Sequence, residues 1–193
     1  MNTSWPDLVT EAAAVSTMIL EEGAERDWSH NASGLDWTCR NTLDHVVLGV
    51  VGYAGLLIAR PADRYITLFA SLDPQAAICE CLEGVGIAAT ILGSAVRDAD
   101  DQVRAWHPWG HSDGPGFAAM GVVELLMHTA DIARGLGLDW RPPEHLCTPV
   151  VRRLFPEAPS GHNPADTLLW CTGRAALPGH GRRSRWQWDG TVR

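Results

Sequence analysis

The segment GVVELLMHTADIARG, residues 121–135, sets a carboxylate, Glu124, and an imidazole, His128, inside a run that is otherwise mostly apolar. On a helix, residues four apart stack on one face, so Glu124 and His128 point the same way, and Asp131 follows about one turn later. An apolar helix seldom buries a carboxylate without a compensating partner. A divalent metal is such a partner. The segment TCRNTLDHVVLGVVGYAGLL offers a third ligand in His45, which stands among Leu43, Val46, Val47 and Val50. Two histidines and a glutamate suit zinc, with the remaining positions open to water or substrate. Nickel, manganese or iron accept the same donors, because imidazole and carboxylate discriminate weakly. Such a metal lowers the pKa of a bound water or thiol, or polarises a carbonyl. The competing reading of His45 is a core histidine with its hydrogen bonds satisfied.

Other residues qualify as helpers. Asp131 is placed to accept the proton of the second ring nitrogen of His128, and equally to pair with Arg134 three residues on. Gly49, Gly52 and Gly121 lie beside the polar positions, where they leave room for a ligand or permit close helix packing. His107 and His111 sit in the loop HPWGHSDGPG, whose proline and glycines exclude an i, i+4 pair; His111 is a candidate substrate contact. Arg174, Arg182, Arg183 and Arg185 form a basic cluster, read either as a solvated terminus pairing with acidic surface or as a clamp for an anionic substrate. No catalytic residue is assigned; Asp131, His111 and Arg174 are the candidates.

The elements that must position these groups are legible from periodicity. Ser4-Trp5-Pro6-Asp7 is a helix start, followed by Leu8, Ala12, Val15 and Ile19 at helical spacing, with an end near Glu22 or Gly23. Thr38 caps a second helix that stops before Pro61. Asp73-Pro74 is expected to open a third, with a stripe from Ala77 through Val96, and a fourth runs near Phe117 to Leu136. Four such helices predict an all-α fold, a four-helix bundle over residues 1–140. Residues 141–193 form a C-terminal extension, with shorter helices near Glu144–Leu154 and Pro164–Arg174 and an end, RRSRWQWDG, that alternates like a short strand or an extended lid. Trp28, Trp37, Trp106 and Trp109 fall in loops where they cap the bundle or wall a pocket, and Trp170, Trp186 and Trp188 are expected to pin the tail.

Composition narrows the function classes. The chain of 193 residues fits one domain with a small appendage, and a formal net charge of -8 argues against an unassisted nucleic-acid binder. The charge is uneven: residues 1–140 hold 19 acids and 7 arginines, residues 141–193 hold 4 acids and 8 arginines, and lysine is absent. Five scattered cysteines with no CxxC pair argue against a disulfide framework and a thiolate zinc site, and Cys79 and Cys81 read as buried small apolar residues. No uninterrupted apolar run has the length of a membrane span, and the first residues lack the pattern of a signal peptide, so the expectation is a cytoplasmic protein with no membrane partner.

WTCRNTLDHVV, residues 37–47, is similar to the W-T-x-x-x-x-x-x-H segment of the DinB/YfiT-like superfamily, in the branch named after mycothiol-dependent maleylpyruvate isomerase. GFAAMGVVELLMHTADIARGLG resembles the metal helix of that branch, and RLFPEAP, TLLWCTGRAALPG and the final WQW resemble actinobacterial members that lack the full second domain. The resemblance implies a four-helix bundle in which His45, Glu124 and His128 bind a divalent metal that activates a low-molecular-weight thiol, mycothiol in actinobacteria, for transfer or thiol-assisted isomerisation. The function expected is accordingly a metal-dependent thiol S-transferase or isomerase acting on a small electrophile. A thiol-independent hydrolase or lyase, and a non-catalytic metal or small-molecule binding protein, are the alternatives. The expected partner is a small molecule, with a homodimer left open.

Overall fold

The computed structural model describes residues 3–193. It is all-α, with six helices and no strand among the described residues: α1 (Trp5–Glu21), α2 (Cys39–Ala59), α3 (Ile78–Asp98), α4 (Gly114–Gly135), α5 (Glu144–Leu154) and α6 (Pro164–Cys171). Ser4 and Thr38 cap α1 and α2 by accepting the backbone N–H groups of Asp7 and Asn41.

Contacts at the helix ends fix the directions. Gly93, near the end of α3, lies against Pro6 at the start of α1, and Gly114 at the start of α4 lies against Val96, so α3 runs antiparallel to both. The thiol of Cys39 reaches the Ile132 carbonyl, which sets α2 antiparallel to α4. Arg40 meets Cys81 near the N-termini of α2 and α3, and Arg60 pairs with Asp100 at 3.7 Å near their C-termini, so these two run parallel. Parallel neighbours need a long crossover, and residues 60–77 supply it. Helices α1 and α2 each pack on α3 and α4, which leaves α3 and α4 diagonal to one another.

Helix α4 is the most enclosed. Phe117, Met120, Leu125, Leu126, Met127 and Ile132 are fully buried, because α5 packs on the side that the bundle leaves open, with α6 behind it. Helices α2, α3 and α4 are each long and apolar enough to cross a membrane by length and composition; in α4 nearly all of that stretch is inside the protein. The extension shares the bundle's core through Leu146, Val150, Leu154 and Leu168. A buried pair between Arg153 and Asp113, at 2.9 Å, ties α5 to the N-cap of α4.

Three expectations are corrected. Helix α3 starts at Ile78 rather than at Asp73-Pro74, because Arg40 takes the carbonyls of Asp73 and Ala76 at 2.9 Å and Asp73 instead caps a turn on the N–H of Gln75. Helix α4 begins three residues before Phe117, with Asp113 accepting the Gly116 N–H at 2.8 Å and Pro115 in the first turn. Of the two readings of the final RRSRWQWDG the strand fails: it is extended, irregular chain held by backbone bonds from Asp189 to Leu154 and from Gly190 to Trp109, with Trp188 buried.

The C-terminal end of α4 approaches the loop before α2 closely. A methyl group on Gly135 would stand 2.6 Å from the Asn31 carbonyl oxygen and 3.1 Å from Ala32 Cα, both backbone atoms. Gly135→Ala is expected to destabilise the protein by about 1–3 kcal/mol, as overpacking does. Chemical denaturation would read this as a lower midpoint, and an unchanged midpoint would refute the close packing.

Candidate metal centre

His45 projects from the second turn of α2, and Glu124 and His128 from adjacent turns of α4, so the antiparallel α2–α4 seam brings all three together. His128 Nε2 lies 3.2 Å and His45 Nε2 lies 3.5 Å from Glu124 Oε2. The three donor atoms fall within 4.8 Å of one another, and the group could hold a metal ion. Metal–ligand bonds of roughly 2.0–2.2 Å at tetrahedral angles separate donors by about 3.4 Å, close to the two shorter spacings. Two imidazoles and one carboxylate are also the right chemistry for a borderline divalent cation.

Two of the three donors, Glu124 and His128, are oriented from behind. The Tyr53 hydroxyl donates to Glu124 Oε1 at 3.0 Å, which leaves Oε2 turned toward the histidines. His45, Gly49 and Tyr53 form one i, i+4, i+8 row on α2, and Gly49 faces the Glu124 side chain, whose Cγ lies 3.8 Å from the place a methyl group on Gly49 would take. His128 Nδ1 lies 3.2 Å from Asp131 Oδ2, and Arg174 grips Asp131 with Nε at 2.9 Å and Nη2 at 2.6 Å. With Nδ1 donating to Asp131, Nε2 of His128 faces the other donors with its lone pair available to a cation.

Burial opposes charge here and the hydrogen bonds overcome it. Burial pushes the Glu124 carboxyl up, but the bonds to His128 and His45 outweigh it and hold the group ionised, well below the usual carboxylate range. For His128, burial favours the neutral ring, yet the bonds to Asp131 and Glu124 raise its pKa to about 9 when no metal is bound. Asp131 is likewise lowered: burial opposes ionisation, and His128 and Arg174 reverse it.

The three donors line a cleft of about 690 Å³ whose walls include Trp37, Trp109, Trp186 and Trp188 and the arginines 134, 174, 182 and 183. Trp37 stacks obliquely on His45, ring centres 4.9 Å apart, and Trp109 meets Trp188 edge-on at 4.7 Å. Of the arginines, Arg174 is occupied by Asp131, and Arg183 lies over the Trp170 ring and 3.8 Å from Glu157. Arg182 Nε donates to the Gly173 carbonyl at 2.6 Å, and neither Arg182 nor Arg134 has a carboxylate within ion-pair distance among the described residues.

Several sequence expectations change at this point. Asp131 pairs with Arg174, forty-three residues away, and not with Arg134. His111 bonds the Ala62 carbonyl at 2.7 Å and does not line the cleft, so its candidacy as a substrate contact is withdrawn. His107 is buried among Tyr53, Phe117 and Trp188, and burial pushes it down to about 4, a neutral structural ring. Gly52 and Gly121 serve packing, against Tyr65 and Leu92. Cys79 is exposed rather than buried, and no cysteine lines the cleft. Burial pushes Cys39 up to about 11, and Cys147 and Cys171 up to about 12. Tyr53 was not anticipated, although its place in the row of His45 and Gly49 marks it. The chain matches no family model, no curated protein and no solved structure.

A pH dependence follows. The pKa of His128 is raised on folding without metal, so its stabilising contribution is fully present below about 6.5 and is lost as pH rises through about 9. A metal requires the neutral ring, so loading at pH 7 should release a proton and affinity should increase with pH across that interval. Calorimetry in buffers of different ionisation enthalpy measures the proton count, and release of no proton at pH 7 would contradict the charged His128. Asp131→Asn should lower metal affinity about 10–100-fold with the helices intact.

Proposed function

We propose that this chain is a divalent-metal-dependent enzyme of the DinB-like type, an S-transferase or isomerase that uses a low-molecular-weight thiol of the mycothiol kind on a small anionic electrophile. The observation that carries the proposal is the donor set of His45, Glu124 and His128 facing a cleft of about 690 Å³, a volume that fits a small-molecule site. Zinc is the first choice of metal for this donor set, with nickel, manganese and iron as competitors. A divalent cation held there supplies Lewis acidity and open coordination positions for a thiol sulfur or a water.

The chain's own residues do the rest. Tyr53 holds the Glu124 carboxylate in one orientation, and Asp131, fixed by Arg174, holds the His128 ring. The protein offers no sulfur nucleophile at the site, since its cysteines lie elsewhere, so the thiol must come from solution. Arg134 and Arg182 face the cleft with no carboxylate partner among the described residues and are suited to a carboxylate or similar anionic group of the substrate. The tryptophan walls limit water and offer flat apolar surface to the remainder of the ligand. Free cysteines throughout accord with the reducing cytoplasm as its place of action.

Elemental analysis of protein purified without chelator or affinity metal is expected to find about one divalent metal per chain. Glu124→Gln should lose metal and turnover while circular dichroism remains helical; full stoichiometry and turnover in that variant would return Glu124 to a structural role. Turnover of candidate electrophiles by metal-loaded protein should require added mycothiol. Thiol-independent turnover would favour the hydrolase or lyase, and the absence of both thiol binding and turnover would favour a binding protein. Because Trp188 is buried, truncating the tail would disturb the core, so the tail is better tested by Arg182→Ala, expected to raise KM about tenfold, the scale of one charged hydrogen bond, at unchanged metal content.

A further inference from the structure

Helix α3 leaves two isoleucines exposed on its face outside the bundle. It is apolar enough for a membrane span, yet less than half of that stretch is buried in the protein. Ile87 and Ile91 are 61% and 40% exposed, and Ile58 of the parallel α2, 72% exposed, shares a groove with Ile91. Leu57, Ile58, Ile91 and Ala95 line a groove of about 480 Å³ between the two helices.

The outward residues Glu83, Ile87, Thr90, Ser94 and Arg97 follow the alternating four- and three-residue spacing of a helix-pairing seam. Gly86, Thr90 and Ser94 keep the ridge low, so another helix can approach closely. The charges on the seam are placed symmetrically: Glu83 lies seven residues before Thr90 and Arg97 seven residues after it. Neither forms an ion pair among the described residues; Arg97 donates only to Ser94 at 3.0 Å. Arg60 is paired with Asp100, and Asp98 lines the groove with Arg60.

We propose that the outer face of α3 pairs antiparallel with α3 of a second copy, on a two-fold axis at Thr90 that sets each Glu83 against Arg97 of the partner subunit. In such an isologous contact every pairing occurs twice, so a single helix can be complementary to itself. The partner's Ile87 then faces the apolar groove beside Ile91 and Ile58. A membrane surface fits less well, because the same face carries Glu80, Glu83, Arg97 and Asp98. Since α3 is diagonal to α4, the metal cleft on the α2–α4 seam stays open in the dimer, and this inference stands apart from the catalytic reading.

Sedimentation equilibrium is expected to give the mass of two chains for the wild type and of one chain for Ile91→Lys, both with the same helical content. Glu83→Arg and Arg97→Glu should each raise the dimer dissociation constant about tenfold, because two attractive pairs become repulsive, and the double variant should recover wild-type association. A monomeric wild type, a dimeric Ile91→Lys or a double variant no tighter than the single ones would overturn the proposal. Cosedimentation of monomer with lipid vesicles would overturn it in favour of a membrane surface.

Discussion

An ionised carboxylate inside an apolar helix is the constraint around which the protein is organised. Glu124 sits in α4, the most enclosed element, where an unpaired charge costs several kcal/mol. Its compensation comes from three directions: Tyr53 and His45 from α2, and His128 from its own helix. Both groups on α2 must therefore stay in register with α4, and the antiparallel seam that achieves this also determines how α1 and α3 close the other side. A shift of one residue along α2 would rotate His45 by about 100° away from the carboxylate.

The compensation extends beyond the bundle. His128 is held by Asp131, and Asp131, itself buried, takes a second cation besides the His128 ring, one that the bundle helices do not set against it. Arg174 supplies it from just beyond α6. The extension consequently completes the charge arrangement of the site as well as covering α4. Gly173, with φ near 69°, turns the chain immediately before Arg174, a conformation that glycine adopts without strain. Local turn geometry and long-range electrostatics meet at these two neighbouring residues.

The readable part of this design was whatever local periodicity encodes. Helical spacing placed Glu124 and His128 on one face and identified the second helix as the source of His45. The bundle followed from four apolar stripes with their caps. Tyr53 was overlooked because an aromatic residue in an apolar helix is usually only core, and its hydroxyl gains meaning only opposite Glu124. The pairing of Asp131 with Arg174 was hidden by sequence distance, since local rules favour Arg134. His111 misled for the converse reason: loop residues have no period, and a carbonyl at Ala62 decided its direction. The start of α3 departs from the cap-then-proline signal at Asp73-Pro74 because Arg40, thirty-three residues upstream of Asp73, captures the carbonyls of Asp73 and Ala76.

The uneven charge along the chain takes on meaning in three dimensions. The whole molecule is acidic, with a formal charge of -8, but the cleft collects four arginines around Glu124 and Asp131, two carboxylates that already have partners. At physiological ionic strength, screening limits the reach of exposed charges to about 8 Å, so an ion at the mouth senses the cleft more than the distant acidic surface. Three of those four arginines lie in the extension. The bundle contributes the three candidate metal donors and the extension most of the arginines around them, and the two sets share one cleft because Arg174 joins them at Asp131.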